Sequence, residues 1–119
     1  MKTLNKLTGN IGEALACNFL KQKKYTILQT NYKSKIGEID IIAMQNQVVV
    51  FIEVKTRSSF AFGLPRGAIN HYKQNKIINT AICYLKQKGL YEKVLMRFDC
   101  IEIYDLNNNP KIEHIENIF

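Results

Sequence analysis

Two apolar runs that contain acidic residues constrain the fold of this chain most strongly. The runs are residues 36–42, Ile-Gly-Glu-Ile-Asp-Ile-Ile, and residues 48–55, Val-Val-Val-Phe-Ile-Glu-Val-Lys. Such β-branched and aromatic residues are typical of buried strands, and the polar residues 45–47 between the runs predict a tight hairpin turn. A carboxylate is costly to bury in such a strand unless a cation compensates its charge.

The charge of the chain is distributed unevenly. Residues 1–91 contain fourteen lysines and arginines but only four acids, Glu13, Glu38, Asp40 and Glu53, whereas residues 92–119 carry a net charge of −3. Basic chains most often bind nucleic acid through its phosphates, although a solvated basic surface can also serve solubility alone. Scarce acids concentrated in the apolar runs of a basic protein indicate a metal ion or a catalytic cation.

The composition predicts a single globular domain over residues 1–119, because 46% of the residues are hydrophobic and 23% are charged. No apolar run approaches the roughly 20 residues of a membrane span, and we expect neither a signal peptide nor a membrane partner. The three cysteines, Cys17, Cys83 and Cys100, have no ligand spacing. They favour a reducing, cytoplasmic location and argue against zinc.

The periodicity of apolar residues predicts an α/β fold with the order α-β-β-β-α-β-β and a central third strand. We expect one three-layer domain, with a mixed β-sheet flanked by helices. Asn10 and Glu13 resemble a capping box, which would start the first helix at Asn10. The predicted elements are helices at 10–23 and 70–88, a loop at 58–67, and strands at 25–32, 36–44, 48–56, 96–104 and 111–115.

The predicted hairpin brings acids together across two strands. If it closes through a two-residue loop, its register places Asp40 opposite Glu53 and Glu38 opposite Lys55. Like charges in opposed positions repel each other, and a divalent cation between them would convert the repulsion into binding. Oxygen ligands select Mg²⁺ or Mn²⁺, and Lys55 beside the metal could orient the attacking water or neutralise phosphate charge.

Each acid also has a structural interpretation. Glu13 lies on a helix side with apolar neighbours, so it could face inward and complete the metal shell, or it could be the acid of the capping box. Glu38 could form a cross-strand ion pair with Lys55, and Asp40 could be an edge residue in solvent.

Four motifs in this order resemble those of the bacterial YraN family of unknown function. They are Gly12-Glu13, Gly37-Glu38-Ile39-Asp40, residues 51–57 (Phe-Ile-Glu-Val-Lys-Thr-Arg), and Arg97-Phe98-Asp99. The resemblance covers residues 9–119. That family is similar to the PD-(D/E)XK nuclease superfamily, and within it to archaeal Holliday-junction resolvases, through the spaced Asp and Glu-x-Lys signature.

The resemblance implies a restriction-endonuclease-like fold and metal-dependent cleavage of DNA. It implies that Asp40 and Glu53 are metal ligands, with Lys55 as the catalytic lysine. Glu13 matches the acid on the first helix of resolvase-like members, and Lys73 matches a lysine that commonly opens the second core helix.

The nucleic-acid contacts are predicted from the remaining basic residues. Lys73 and Lys76 share a face of the second helix with Thr80, and Arg57 and Arg66 flank the loop after the third strand. Tyr25, Tyr32 and Tyr72 could stack on unpaired bases, although core aromatics are commoner.

These residues predict a metal-dependent nuclease that hydrolyses DNA, including branched intermediates of recombination and repair. The alternatives are a non-catalytic nucleic-acid-binding module of the same fold and a protein-interaction domain with a basic surface. Whether the chain acts as a monomer or a homodimer is left open.

Overall fold

A long helix opens the chain in the computed structural model, which describes residues 2–57, 71–106 and 108–119. Helix α1 spans Lys2–Gln22, so the predicted start at Asn10 is wrong, and Glu13 lies in the middle of the helix rather than at a cap. No proline interrupts residues 2–10, and extending an existing helix costs far less than nucleating a new one. Ala16 and Leu20 anchor α1, since both are fully buried.

The five strands form one mixed sheet in the order β1-β2-β3-β4-β5, with β3 in the centre. Strands β3 and β4 are parallel and the other neighbours are antiparallel. Helix α2, His71–Gln87, lies between the two parallel strands in the chain, as parallel pairing requires a crossover. The predicted element order and mixed sheet are confirmed. The strands are β1 Thr26–Lys33, β2 Glu38–Gln45, β3 Val48–Arg57, β4 Leu95–Tyr104 and β5 Lys111–Ile115.

The helices cover opposite faces of the sheet and produce the predicted three layers. One core cluster joins Ala16 and Leu20 of α1 to Ile41, Val50 and Ile52 of the sheet. A second cluster packs Ala81, Tyr84 and Leu85 of α2 against the other face. Within the described residues, no helix is long and apolar enough to cross a membrane.

The hairpin between β2 and β3 closes through a two-residue turn. Asn46 and Gln47 have φ values of 51° and 65°, both in the left-handed region that a type I′ turn needs. The predicted register is confirmed from the turn as far as the pair formed by Ile41 and Ile52. Backbone pairing ends there, so the predicted continuation to Asp40–Glu53 and Glu38–Lys55 does not form as a ladder.

Candidate functional site

A pocket of about 390 Å³ opens on the α2 face of the sheet, beside the point where β2 and β3 stop pairing. Asp40 of β2 and Glu53 and Lys55 of β3 line it. Lys73 and Lys76 of α2 line the same pocket. Three of the four predicted catalytic residues and two of the four predicted nucleic-acid-binding residues therefore meet at one site, although they come from three separate elements.

The side chain of Asp40 ends the pairing of the two strands. Its Oδ2 accepts a hydrogen bond of 2.8 Å from the Val54 N–H. If the antiparallel ladder continued, this N–H would instead donate to the carbonyl of Ile39. The alternation of side chains along β2 is interrupted here. Residues 39 and 41 of a regular strand would share a face, but Ile41 packs in the α1 cluster and Ile39 in the α2 cluster. Asp40 is thus a half-buried residue of an inner strand, and its interpretation as a solvent-exposed edge residue is wrong.

The electrostatic surroundings of Asp40 oppose its ionisation. Burial is the largest cause and raises its pKa, while the Val54 N–H acts to lower it. The charges of Glu13, Glu53 and Glu38 raise it further, and the pKa of Asp40 reaches about 6. The four scarce acids of residues 1–91 therefore act on one point of the molecule. Their mutual repulsion favours the binding of a cation between them.

Lys55 and Glu53 lie on the same face of β3, and both line the pocket. The β4 residue paired with Lys55 is Glu102, whose buried carboxylate accepts hydrogen bonds of 2.9 Å from Arg57 Nε and from the Tyr104 hydroxyl. Among the side chains of residues 10–57, 71–106 and 108–119, neither Lys55 nor Glu53 forms an ion pair or a side-chain hydrogen bond. The predicted alternative, an ion pair of Lys55 with Glu38, is absent from these residues.

The carboxylates of the pocket fit a hard divalent cation held by few protein ligands. In the part of the chain that the structure describes, no three His, Cys, Asp or Glu side chains form a group that could hold a metal ion, and the place of Glu13 in a metal shell stays a prediction. Three acids of β2 and β3, Glu38, Asp40 and Glu53, line the pocket with Lys55. Mg²⁺ is commonly held by one or two carboxylates together with waters and substrate phosphates, a number that Asp40 and Glu53 supply.

Cys100, which pairs with Glu53 across β3 and β4, takes no part in this donor set. Burial, followed by the charges of Glu53 and Glu102, raises the pKa of its thiol to about 12. A thiol that stays protonated is neither a nucleophile nor a metal ligand at neutral pH.

Helix α2 holds its lysines at the pocket through a close contact with β2. Thr80 is fully buried, and its hydroxyl donates a hydrogen bond of 2.7 Å to the Lys76 carbonyl. A Cβ at Gly37, the residue before β2, would lie 3.0 Å from the Thr80 Oγ1, so a larger residue there would have to displace the Thr80 hydroxyl by a few tenths of an ångström. Lys73 and Lys76 are exposed at the rim, on the shared face that their spacing predicts.

The two predicted arginine contacts have different outcomes. Arg57 is engaged inside the protein by Glu102, at 2.9 Å, and its guanidinium is not directed to the pocket by any contact of the described residues. Arg66 lies outside the described residues. Of the four predicted nucleic-acid-binding residues, the pocket therefore gathers the two lysines.

A buried polar network on the other face of the sheet was not predicted. Asp99 is fully buried and bonds Arg97 Nη2 at 2.8 Å, His114 Nε2 at 2.7 Å and the Asn117 N–H at 3.1 Å. Burial acts to raise the pKa of Asp99, but these three partners hold it below its usual value. The network fastens the C-terminal segment, whose Ile118 lines the pocket.

Only part of this network has a signal in the sequence. Arg97 and Asp99 are two residues apart on a strand and so share a face, which indicates an ion pair. The separation of His114 gives no such indication.

The comparisons with known proteins agree on one family. The family model described as "Uncharacterised protein family UPF0102" matches residues 12–103, which include Glu13, Asp40, Glu53 and Lys55. The chain is 46% identical to a UPF0102 protein of Clostridium botulinum (strain 657 / Type Ba4), over 100% of this chain and 98% of that protein. It is 48% identical to a UPF0102 protein of Alkaliphilus oremlandii, over 98% of this chain and 100% of that protein. The chain therefore belongs to the UPF0102 family, the YraN-type family that its motifs resemble.

Proposed function

We propose that this protein is a metal-dependent nuclease that hydrolyses phosphodiester bonds of DNA. The observation that carries this proposal is the meeting of Asp40, Glu53 and Lys55 with two lysines of α2 in one pocket. Asp40, whose pKa the neighbouring acids raise, lies next to ammonium groups, and this combination suits a substrate that brings both a cation and phosphates. The resemblance to the PD-(D/E)XK superfamily supports the same reaction, because its signature falls on Asp40, Glu53 and Lys55.

The lysines of α2 would bind the substrate, and Lys55 would take part in the reaction. Lys73 and Lys76 stand at the rim, where they would neutralise the phosphates of a strand entering the pocket. Lys55 lies next to Glu53 inside the pocket, where its ammonium group would donate hydrogen bonds to the attacking water or to the phosphoryl oxygens as negative charge develops.

Asp40 and Glu53 would hold Mg²⁺ or Mn²⁺. Such an ion supplies positive charge against the phosphodiester and acidifies the attacking water. Because the pKa of Asp40 is raised to about 6, its carboxyl group is half protonated at pH 6 and the carboxylate predominates only above that pH. Glu13 would favour cation binding by its charge, and it would complete the metal shell directly or through water.

The biological setting is inferred from weaker indications. The resolvase-like resemblance favours branched DNA of recombination or repair. The three free cysteines favour the reducing cytoplasm as the location.

A non-catalytic nucleic-acid-binding module is the second candidate. The observation that favours it is the pair of lysines, Lys73 and Lys76, that α2 brings to the pocket, because they can bind phosphates without a metal ion. Such a module would use the lysines of α2 in the same way. Its affinity for DNA would fall with added salt but would not change when Asp40 is replaced.

Cleavage of end-labelled single-stranded, duplex and branched DNA with Mg²⁺ or Mn²⁺ tests the enzymatic proposal. We expect Asp40→Asn and Lys55→Ala each to lower the rate by about 100-fold or more. Glu92→Gln and Lys93→Ala, matched changes of exposed residues between α2 and β4, should leave the rate within twofold. If no substrate is cut with either metal while salt-sensitive binding survives Asp40→Asn, the protein is the binding module.

A further inference from the structure

One aromatic side chain near the pocket is left in solvent. The chain has six tyrosines, and four of them, at positions 25, 32, 84 and 104, are at most 6% exposed. Tyr72, in the first turn of α2, is 73% exposed. Tyr25 and Tyr32 are therefore core aromatics, the commoner of the two interpretations of these rings, whereas the ring of Tyr72 faces solvent.

The ring of Tyr72 stands beside the pocket with a lysine between them. Successive helical residues are rotated by about 100°, which places Tyr72 on the flank of the face formed by Lys73, Lys76 and Thr80. Lys76 lines the pocket, and its Nζ lies 5.8 Å from the Tyr72 ring centroid, within the range of a cation–π contact. A phosphate held by Lys76 would therefore bring its own or the adjacent base to this ring.

The charge around Tyr72 selects the kind of ligand. The first ten residues of α2, 71–80, contain no acid and include Lys73 and Lys76. Of the other large exposed apolar side chains among the described residues, Ile11, Leu28 and Leu95 lie on α1, β1 and β4, and Ile36 lies between β1 and β2. A lone ring among lysines is a small surface for a protein partner, but it suits a polyanion that carries flat aromatic groups.

From this arrangement we infer that Tyr72 stacks on an unpaired base of the DNA strand whose phosphate Lys76 holds. Both faces of a base inside a duplex are covered by its neighbours, so this contact requires a single-stranded segment next to the phosphate in the pocket. The preferred substrate is then DNA with a single strand at the cleavage site, such as a flap, a gap or a frayed branch point. Because a phosphate must enter the pocket for the stack to form, this inference rests on the proposed function.

Binding in EDTA separates stacking from chemistry. Fluorescence anisotropy would compare a labelled single-stranded 12-mer with the blunt 12-base-pair duplex at pH 7.5. Loss of one base–aromatic stack weakens binding by about 5- to 100-fold, so Tyr72→Leu should lose that much affinity for the single strand and less than twofold for the duplex. Tyr72→Phe keeps the ring and should bind within twofold of the wild type.

Leu95→Ala is the matched control, since Leu95 is 70% exposed and lies on β4. This variant should change neither affinity. Full single-strand affinity of Tyr72→Leu, or an equal loss for both DNAs, would overturn the stacking role. A wild type that binds the single strand through Tyr72 but cuts nothing would refute only the nuclease. A wild type that binds neither DNA in EDTA would refute the stacking role alone, because the proposed nuclease takes up its substrate together with a metal ion.

Discussion

Replacing Asp40 by asparagine should make the protein more stable at neutral pH. The pKa of Asp40 is raised from 3.8 to about 6, by burial first and then by the neighbouring acids. Its ionised form is therefore less favourable in the folded protein than in the unfolded chain. Asparagine has nearly the same shape, and its side-chain oxygen can still accept the hydrogen bond from the Val54 N–H.

The sign and size follow from proton linkage. The folded protein binds more protons than the unfolded chain between pH 3.8 and 6, so this contribution to stability is fully present below pH 3.8. It is lost as the pH rises through about 6. A shift of about 2 pKa units corresponds to a ceiling of about 3 kcal/mol, and partial exposure of Asp40 reduces the expected gain to about 1–2 kcal/mol at pH 7.5.

Urea unfolding followed by circular dichroism at pH 4.5, 6 and 7.5, with EDTA present, measures this gain. The difference in unfolding free energy between Asp40→Asn and the wild type should be smallest at pH 4.5 and grow by about 1–2 kcal/mol by pH 7.5. Glu92→Gln, a change of an exposed acid, should give curves parallel to the wild type. A variant that is less stable than the wild type at pH 7.5 would refute the reasoning, because Asp40 would then be a stabilising structural group.

Three further results are expected. Calorimetry should detect Mn²⁺ binding to the wild type and a loss of at least tenfold, about 1.4 kcal/mol, in Glu53→Ala; equal binding would exclude this carboxylate as a ligand. Arg57→Ala leaves the buried Glu102 with one partner fewer and should cost about 1–3 kcal/mol in urea unfolding, part of which a second change, Glu102→Gln, restores; no cost in the single variant would contradict this. Gly12→Ala places a Cβ 2.6 Å from the Thr56 Cγ2 and should lower the unfolding free energy by about 1–3 kcal/mol. Adding Thr56→Ser removes that methyl group and should recover at least half, whereas unchanged stability of the single variant would show that the helix shifts freely.

Local patterns of residues were sufficient for the elements and for part of the hairpin. Strand and helix periods depend on neighbours within a few residues, and each predicted strand overlaps the observed one almost completely. The two-residue turn sets the register at once, so pairing as far as Ile41 and Ile52 could be read from the chain. The start of α1 could not be predicted in this way. A cap-like pattern at Asn10 favours a start there, whereas the residues before Asn10 allow the helix to extend to Lys2.

The pocket depends on contacts between residues that are distant in the chain. Two distant contacts form beside it: Asp40 takes the N–H of Val54, and Glu102 bonds Arg57 instead of the paired Lys55. In both contacts a side chain binds one of several partners within reach. The alternation of residues along a strand does not predict which partner it binds. Residue types and spacing were enough to nominate the acids and the lysine, but only packing of the sheet against two helices settled which charges are compensated internally and which are left facing the pocket.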